Sequence, residues 1–317
     1  MKKFNVVITT KCDKNCSYCF SEKTNREYSL LELEALVNHP EITHINILGG
    51  EPLIHSEIES ILFYLNQSNI NYSLMTNFKK DLSTLNINTN IIPFGISIGH
   101  IDNDDDYEEF RKNLYRINLK YTGIQYVLTK DIEKIEKHKK YLKLFFDEFR
   151  PKLSNTFNIC VTLEHPSESF QLNENSFHEH LSNSHEFIND LKNIINLKNI
   201  YYPEAPINLG CGGIYRCMFQ NQQEIDFINN NVVYFKHGCP KDQGYPFFVQ
   251  GDECYICPPA KKMWVAKVKP NLEDNYADGF EVKKQYKNVG APVRCQACQY
   301  YNVDCHGPCL GYYNKIV

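Results

Sequence analysis

Phe4-Asn5-Val6-Val7-Ile8-Thr9-Thr10-Lys11-Cys12-Asp13-Lys14-Asn15-Cys16-Ser17-Tyr18-Cys19 hands a short β-branched run directly to three cysteines. The run has the Val/Ile content of a strand buried on both faces, as in a parallel sheet. The thiols, spaced Cys12-x3-Cys16-x2-Cys19, sit on a tight loop and fall one short of a tetrahedral set. A closed structural zinc site takes four protein ligands, and so does an ordinary electron-transfer iron–sulfur cluster. Three ligands leave one metal position open to an exogenous molecule.

Further β-rich runs follow at His44–Leu48, Tyr72–Thr76, Phe94–Ile98, Gly123–Thr129 and Phe157–Leu163. Helical patterns separate them. Ser29 with Glu32, and Ser56 with Glu59, each have capping-box spacing. Ile58, Ile61, Leu62 and Leu65 then form one apolar stripe, and Asp131 opens a helix carrying Ile132, Ile135, Leu142, Phe145 and Phe149. Six β-then-α units predict a parallel α/β sheet or barrel. The acidic run Asp102–Asp106 reads as a solvated loop after the fourth strand. Gly49-Gly50-Glu51-Pro52 closes the second strand at its C-terminal end, where α/β folds bind ligands. Its glycines let backbone approach a ligand closely, and its carbonyls can accept from an ammonium group. Glu51 reads as structural within the turn.

Composition narrows the classes. The 317 residues carry 34 basic and 38 acidic side chains, a net charge of −4 that gives no support to nucleic-acid or membrane binding through bulk charge. No apolar run approaches the roughly 18 residues of a spanning helix, and the start is short for a signal peptide. A cytoplasmic protein is expected. Thirteen cysteines are many for such a chain. Their odd number and the absence of an export signal favour metal or cluster ligation over a disulfide framework.

Helical periodicity fades after Tyr201, and nine of the cysteines lie beyond it. The expected division is 1–200 for a core barrel and 201–317 for a small irregular unit held by its metals. The nine are Cys211, Cys217, Cys239, Cys254, Cys257, Cys295, Cys298, Cys305 and Cys309. Cys254-x2-Cys257 and Cys295-x2-Cys298 could also be zinc-ribbon half-sites, so zinc stays open as an alternative there. Cys160 reads as a buried apolar residue on the sixth strand, and His237 and His306 as neighbours of ligand cysteines.

The cysteine triplet with Tyr18 before its last member, followed by Gly49–Pro52, resembles the cluster and GGEP motifs of the radical S-adenosylmethionine (SAM) superfamily. Thr76-Asn77 resembles the end of that family's third strand, Ser97 its fourth, Tyr107 to Arg111 the helix entry that follows, and Val127–Lys130 its fifth strand. The resemblance covers residues 4 to about 165. It implies a partial (β/α)6 barrel with a [4Fe-4S] cluster on Cys12, Cys16 and Cys19. SAM chelates the open iron in that family, and one electron releases a 5′-deoxyadenosyl radical that abstracts a substrate hydrogen. Tyr18, Gly49, Gly50, Glu51, Pro52, Thr76, Asn77 and Ser97 are the cofactor-binding positions it implies. A flavodoxin or ferredoxin is the family's usual electron donor.

The C-terminal cysteines resemble the SPASM extension, which holds auxiliary [4Fe-4S] clusters in enzymes that modify peptides and proteins. That resemblance assigns Cys309 to a first cluster with ligands drawn from Cys211, Cys217, Cys239 and Cys257. Cys295, Cys298 and Cys305 then need a fourth ligand, for which Cys254 is the candidate. The chain departs from the pattern: Cys298-x6-Cys305 replaces x5, Gly251-x5-Cys257 carries one residue too many, and no cysteine follows Cys309. One or two auxiliary clusters fit. The implied function is a maturase of ribosomally made peptides, forming a crosslink, thioether or epimerised centre. The alternatives are a small-molecule radical dehydrogenase or carbon–carbon bond-forming synthase, and, in a different class, a non-catalytic metal-binding or electron-transfer module. With the triplet starting at Cys12, the expectation is that a precursor binds the barrel directly, that a separate leader-binding protein presents it, or that the substrate is something else.

Overall fold

The computed structural model describes residues 2–16, 19, 24–164, 174–210, 214–233, 247–257, 264–289, 291–301 and 305. Seven strands run parallel, each beside the next in chain order. They are β1 (Lys2–Thr9), β2 (Ile42–Gly49), β3 (Asn71–Thr76), β4 (Phe94–Ser97), β5 (Gly123–Leu128), β6 (Ile159–Leu163) and β7 (Ile207–Leu209). Helices α1 (Leu30–Val37), α2 (Ile58–Gln67), α3 (Asp104–Leu114) and α4 (Ile132–Phe149) connect the earlier strands. Helices α5 (Glu174–Ser182) and α6 (Ser184–Tyr201) lead into β7. The mixed α/β class and the parallel sheet follow the expectation, with a seventh strand too short for its alternation to stand out in sequence.

Residues beyond 201 extend the same sheet. After α7 (Gln222–Asn231), β8 (Phe247–Gln250) pairs parallel with β1. Then β9 (Glu253–Tyr255) and β10 (Val265–Lys267) add antiparallel, so β7 and β10 stand at the two edges. Helices α8 (Leu272–Val289) and α9 (Val293–Gln296) complete the described chain. The 18-residue α8 corrects the expectation that helical pattern stops near 201. Its buried positions include Asn275, Lys283 and Lys287 beside Leu272 and Tyr286, so polar side chains disguise the apolar period. Asn275 accepts from the Lys269 N–H (2.7 Å) and donates to the Lys267 carbonyl (2.9 Å), a local reason for burying it.

Strand alternation divides the sheet into two faces. Phe4, Val6, Ile8, Ile45, Ile47 and Leu74 join α1, α2 and the other helices in the apolar core. The intervening Asn5, Asn46, Ser73, Met75, Gln125 and Cys160 line a cavity instead. The helix signals behave unequally. Ser29 caps α1 in a full capping box with Glu32, and Asp131 caps α4 by accepting from Glu133 and Lys134 N–H. Ser56 does not cap α2: its hydroxyl and N–H both go to Glu27, and α2 begins after Glu57 with its stripe buried as expected. Within the α4 pattern Ile132 is exposed. The acidic run is largely exposed as expected but is mostly helix rather than loop. Asp104, Asp105 and Asp106 form the first turn of α3 behind the Asn103 cap, where negative charge suits the helix dipole.

Candidate active site

The ends of β1 and β2 approach so closely that only glycine fits between them. A Cβ on Gly50 would stand 2.0 Å from the Lys11 carbonyl oxygen and 2.9 Å from the Cys12 Cβ; one on Gly49 would stand 2.7 Å from the Thr9 carbonyl oxygen. Gly50 N–H donates to the Thr9 carbonyl (2.8 Å) and Glu51 N–H to the Lys11 carbonyl (2.7 Å). The two glycines therefore seat the cysteine loop against the second strand. On its far side the loop is held by Thr10 N–H on the Arg26 carbonyl (2.8 Å) and Tyr28 N–H on the Ile8 carbonyl (2.9 Å).

Cys12, Cys16 and Cys19 are half-buried on this loop. A turn closed by Cys19 N–H on the Cys16 carbonyl (3.2 Å) brings the last two together, and the Cys12 and Cys19 thiols lie within electrostatic reach. Burial pushes the Cys12 thiol above its ordinary value, opposed by the Lys14 N–H that donates to its sulfur. A thiolate there needs a positive partner. Three thiols on one loop, one short of the four that an ordinary electron-transfer cluster takes, fit a cluster with one open iron.

Glu51 is fully buried and ties β2 to β3. Its Oε1 accepts from the Thr76 hydroxyl (2.7 Å) and the Leu53 N–H (2.9 Å), and its Oε2 from the Asn77 N–H (2.7 Å). Burial raises its carboxyl to about 7 against those three donors. Pro52 starts a 3-10 turn at Pro52–Ile54, with Pro52 and Leu53 buried. The Asn77 side chain donates to Asp13 Oδ1 (2.7 Å), so the end of β3 also reaches the cysteine loop. Ser97, the last residue of β4, shares the cavity face with Gly95 by alternation. Tyr18, Cys211, Cys239, Cys309, His237 and His306 lie outside the described residues.

Sequence reading passed over several residues that position this end of the sheet. Lys14 of the cysteine loop donates to Asp106 Oδ1 (3.2 Å) and to the His100 carbonyl (3.5 Å), linking the loop to the start of α3. Asn113 of α3, buried, donates to the Phe78 and Lys80 carbonyls (2.9 Å each) and accepts from the Leu82 N–H (3.0 Å). It pins the turn after β3, where buried Phe78 takes a φ of 59°. On α6, fully buried Asp190 accepts from the Tyr126 hydroxyl (2.8 Å) and the Thr129 N–H (3.1 Å) at the end of β5. Burial raises its carboxyl to about 7.

The cavity on the polar face of the sheet measures about 710 Å3. Asn46 is the hub of its polar row, donating to Asn5 Oδ1 (2.8 Å) and accepting from the Ser73 hydroxyl (2.7 Å). Gln125, Asn158 and Thr162 continue the polar lining. Phe248, Ile256, Cys257 and Lys283 line the same space, so the C-terminal elements build it together with the parallel strands. Cys160 is a partly exposed member of this lining rather than an apolar residue sealed in the core, because its strand position turns it inward. Cys254 is buried in β9, and Cys217, Cys295, Cys298 and Cys305 line a second cavity.

Among known proteins, residues 6–170 match the family model of the radical SAM superfamily. An uncharacterised protein of Methanocaldococcus jannaschii is 27% identical over 201 residues, 52% of this chain and 68% of that protein. A probable GTP 3′,8-cyclase of Methanococcus maripaludis is 34% identical over 85 residues, 24% of this chain and 29% of the relative. An S-adenosylmethionine-dependent nucleotide dehydratase of Selenomonas ruminantium is 27% identical over 96 residues, 29% of this chain and 33% of the relative. This chain thus spans about a third or less of the length of those last two. Among solved structures, SuiB of Streptococcus suis bound to S-adenosylmethionine superposes with a TM-score of 0.61 at 16% identity, over 99% of this chain and 76% of SuiB. SuiB bound to its precursor peptide SuiA gives 0.60 at 17% identity, over 98% and 74%. At such identity the likeness is one of fold.

Proposed function

This chain belongs to the radical SAM superfamily and is a radical SAM enzyme, and from that premise we propose that its substrate is a peptide or protein. When bound, the [4Fe-4S] cluster and SAM supply a carbon radical able to take a hydrogen atom from the substrate. Cys12, Cys16 and Cys19 hold the cluster in this reading. Gly49 and Gly50 seat their loop, and Glu51, Thr76 and Asn77 fix the neighbouring strand ends. The cavity below receives one substrate residue and keeps it from water.

One observation carries the peptide reading. The fold likeness to SuiB, a protein solved with its precursor peptide, runs through the C-terminal elements as well as the barrel. Those elements line the cavity, so the space read here as the substrate chamber lies within the part of the chain that the likeness covers. A nucleotide substrate is the second reading, favoured by the names of two relatives matched over short stretches. Against it, Lys283 is the only cation among the described residues lining the cavity, where a polyphosphate calls for several.

The test uses the full chain, reconstituted without oxygen and supplied with SAM and a low-potential reductant. Candidate peptides come from short reading frames beside the gene, synthesised with deuterated side chains. Deuterium carried from a peptide into 5′-deoxyadenosine supports the reading. Transfer from a labelled nucleotide and from no peptide overturns it. Replacing Cys12, Cys16 and Cys19 by alanine is expected to abolish 5′-deoxyadenosine formation.

A further inference from the structure

Four thiols from two separate parts of the chain surround one cavity of about 520 Å3. Cys217 comes from the 3-10 turn Arg216–Met218, and Cys295, Cys298 and Cys305 from α9 and the segment after it. That segment is folded by its own backbone. Cys298 N–H donates to the Cys295 carbonyl (3.1 Å), Tyr301 N–H to the Cys298 carbonyl (3.1 Å) and Cys305 N–H to the Tyr300 carbonyl (2.9 Å). The Cys217 turn is tethered to it, because the Arg216 guanidinium lies 5.0 Å from the centroid of the Tyr300 ring. None of the four thiols is in a disulfide.

We propose that Cys217 completes, with Cys295, Cys298 and Cys305, the four-thiolate site of one auxiliary [4Fe-4S] cluster. The resemblance to SPASM proteins had placed Cys217 with Cys309 and left Cys254 to serve these three. The structure separates Cys254 from them. It sits in β9 between Val249 and Ala266 in the strand ladder and does not line this cavity. Four thiolates supply one ligand to each iron of a [4Fe-4S] cubane; zinc takes the same number, and the metal count decides between the two. Five of the nine C-terminal cysteines then remain, enough for a second set without Cys254.

The inference rests on auxiliary clusters being present, and the experiment separates the two questions. Wild type, Cys217→Ala, Cys217→Ser and Cys254→Ala are reconstituted anaerobically with iron and sulfide. Iron, acid-labile sulfide and zinc are then counted per chain, and EPR spectra of the reduced proteins recorded. The expected result is that Cys217→Ala loses about four irons relative to wild type, while Cys254→Ala retains the wild-type complement. Cys217→Ser, which keeps an oxygen ligand, is expected to shift the g-values of one cluster only. If Cys217→Ala fails to fold, the serine variant decides, and unchanged g-values overturn the proposal. A full iron complement in Cys217→Ala, or its loss in Cys254→Ala, overturns it as well. Wild type with only about four irons, or with zinc in the C-terminal unit, removes the premise itself.

Discussion

At the residue scale, two positions carry most of the geometry: a glycine with no room for a methyl group and a carboxylate with no access to water. Gly50→Ala would place its Cβ 2.0 Å from the Lys11 carbonyl oxygen, a backbone atom that can yield only by moving the cysteine loop. Overpacking of this kind costs about 1–3 kcal/mol, so the variant is expected to fold. It is expected to lose iron selectively from the cluster on Cys12, Cys16 and Cys19, which iron counting and loss of SAM cleavage would show. Asp190 offers a pH test. Its folded carboxyl titrates near 7, raised by burial from an ordinary value near 3.8. The folded state therefore holds its proton over that window while the unfolded state has released it, and the stability this adds is lost as pH rises toward 7. Asp190→Asn removes the titration. Urea midpoints of wild type minus variant should thus fall between pH 4 and 7 and level off above, whereas a flat difference would refute the assignment. Motif spacing made the glycines legible in sequence. The depth at which Glu51 and Asp190 are buried was not, because burial depends on what α6 and the neighbouring strands bring over them.

At the element scale, α3 shows how a helix holds the turn at the end of a strand it packs beside. Asn113 satisfies three backbone groups in the turn after β3, and Phe78 holds its left-handed conformation under that restraint. Asn113→Ala leaves buried partners unpaired and is expected to cost about 2–4 kcal/mol, given 1–3 for each buried group left unsatisfied. A lowered urea midpoint and faster hydrogen exchange at Leu82 would check it. Helices with a clean aliphatic stripe, such as α2, were readable from the sequence. The cap of α2 was not, because Glu27, distant in sequence, takes the Ser56 hydroxyl before Glu59 can close a box. The same lesson applies to α8, whose buried asparagine and lysines look like surface until their partners are in place.

At the scale of the whole molecule, the sheet joins the seven parallel strands to the C-terminal elements by pairing β8 with β1. A cavity walled by both follows from that pairing. Cys160→Phe would fill this space from the β6 side. The variant is expected to form 5′-deoxyadenosine while modifying peptide at least about tenfold more slowly, a loss of roughly 1.4 kcal/mol in transition-state binding. Equal loss of both activities would instead indicate damage to the radical site.

By itself the sequence determined the chemistry of the first half: a β-branched strand ending in three thiols, a Gly-Gly turn beside it, and alternating units that can only bury their strands in a parallel sheet. Those signals are local, carried by residues within a few positions of one another. The tertiary structure alone decided which distant residues meet. Cys217 lines one cavity with Cys295, Cys298 and Cys305, and the Arg216–Tyr300 contact ties together two turns remote in sequence. Cys254 lies apart because a strand ladder holds it. Spacing along a chain limits which thiols can be ligands of one site only when the intervening segment is short, and between residues 217 and 295 the fold, not the spacing, sets the distance.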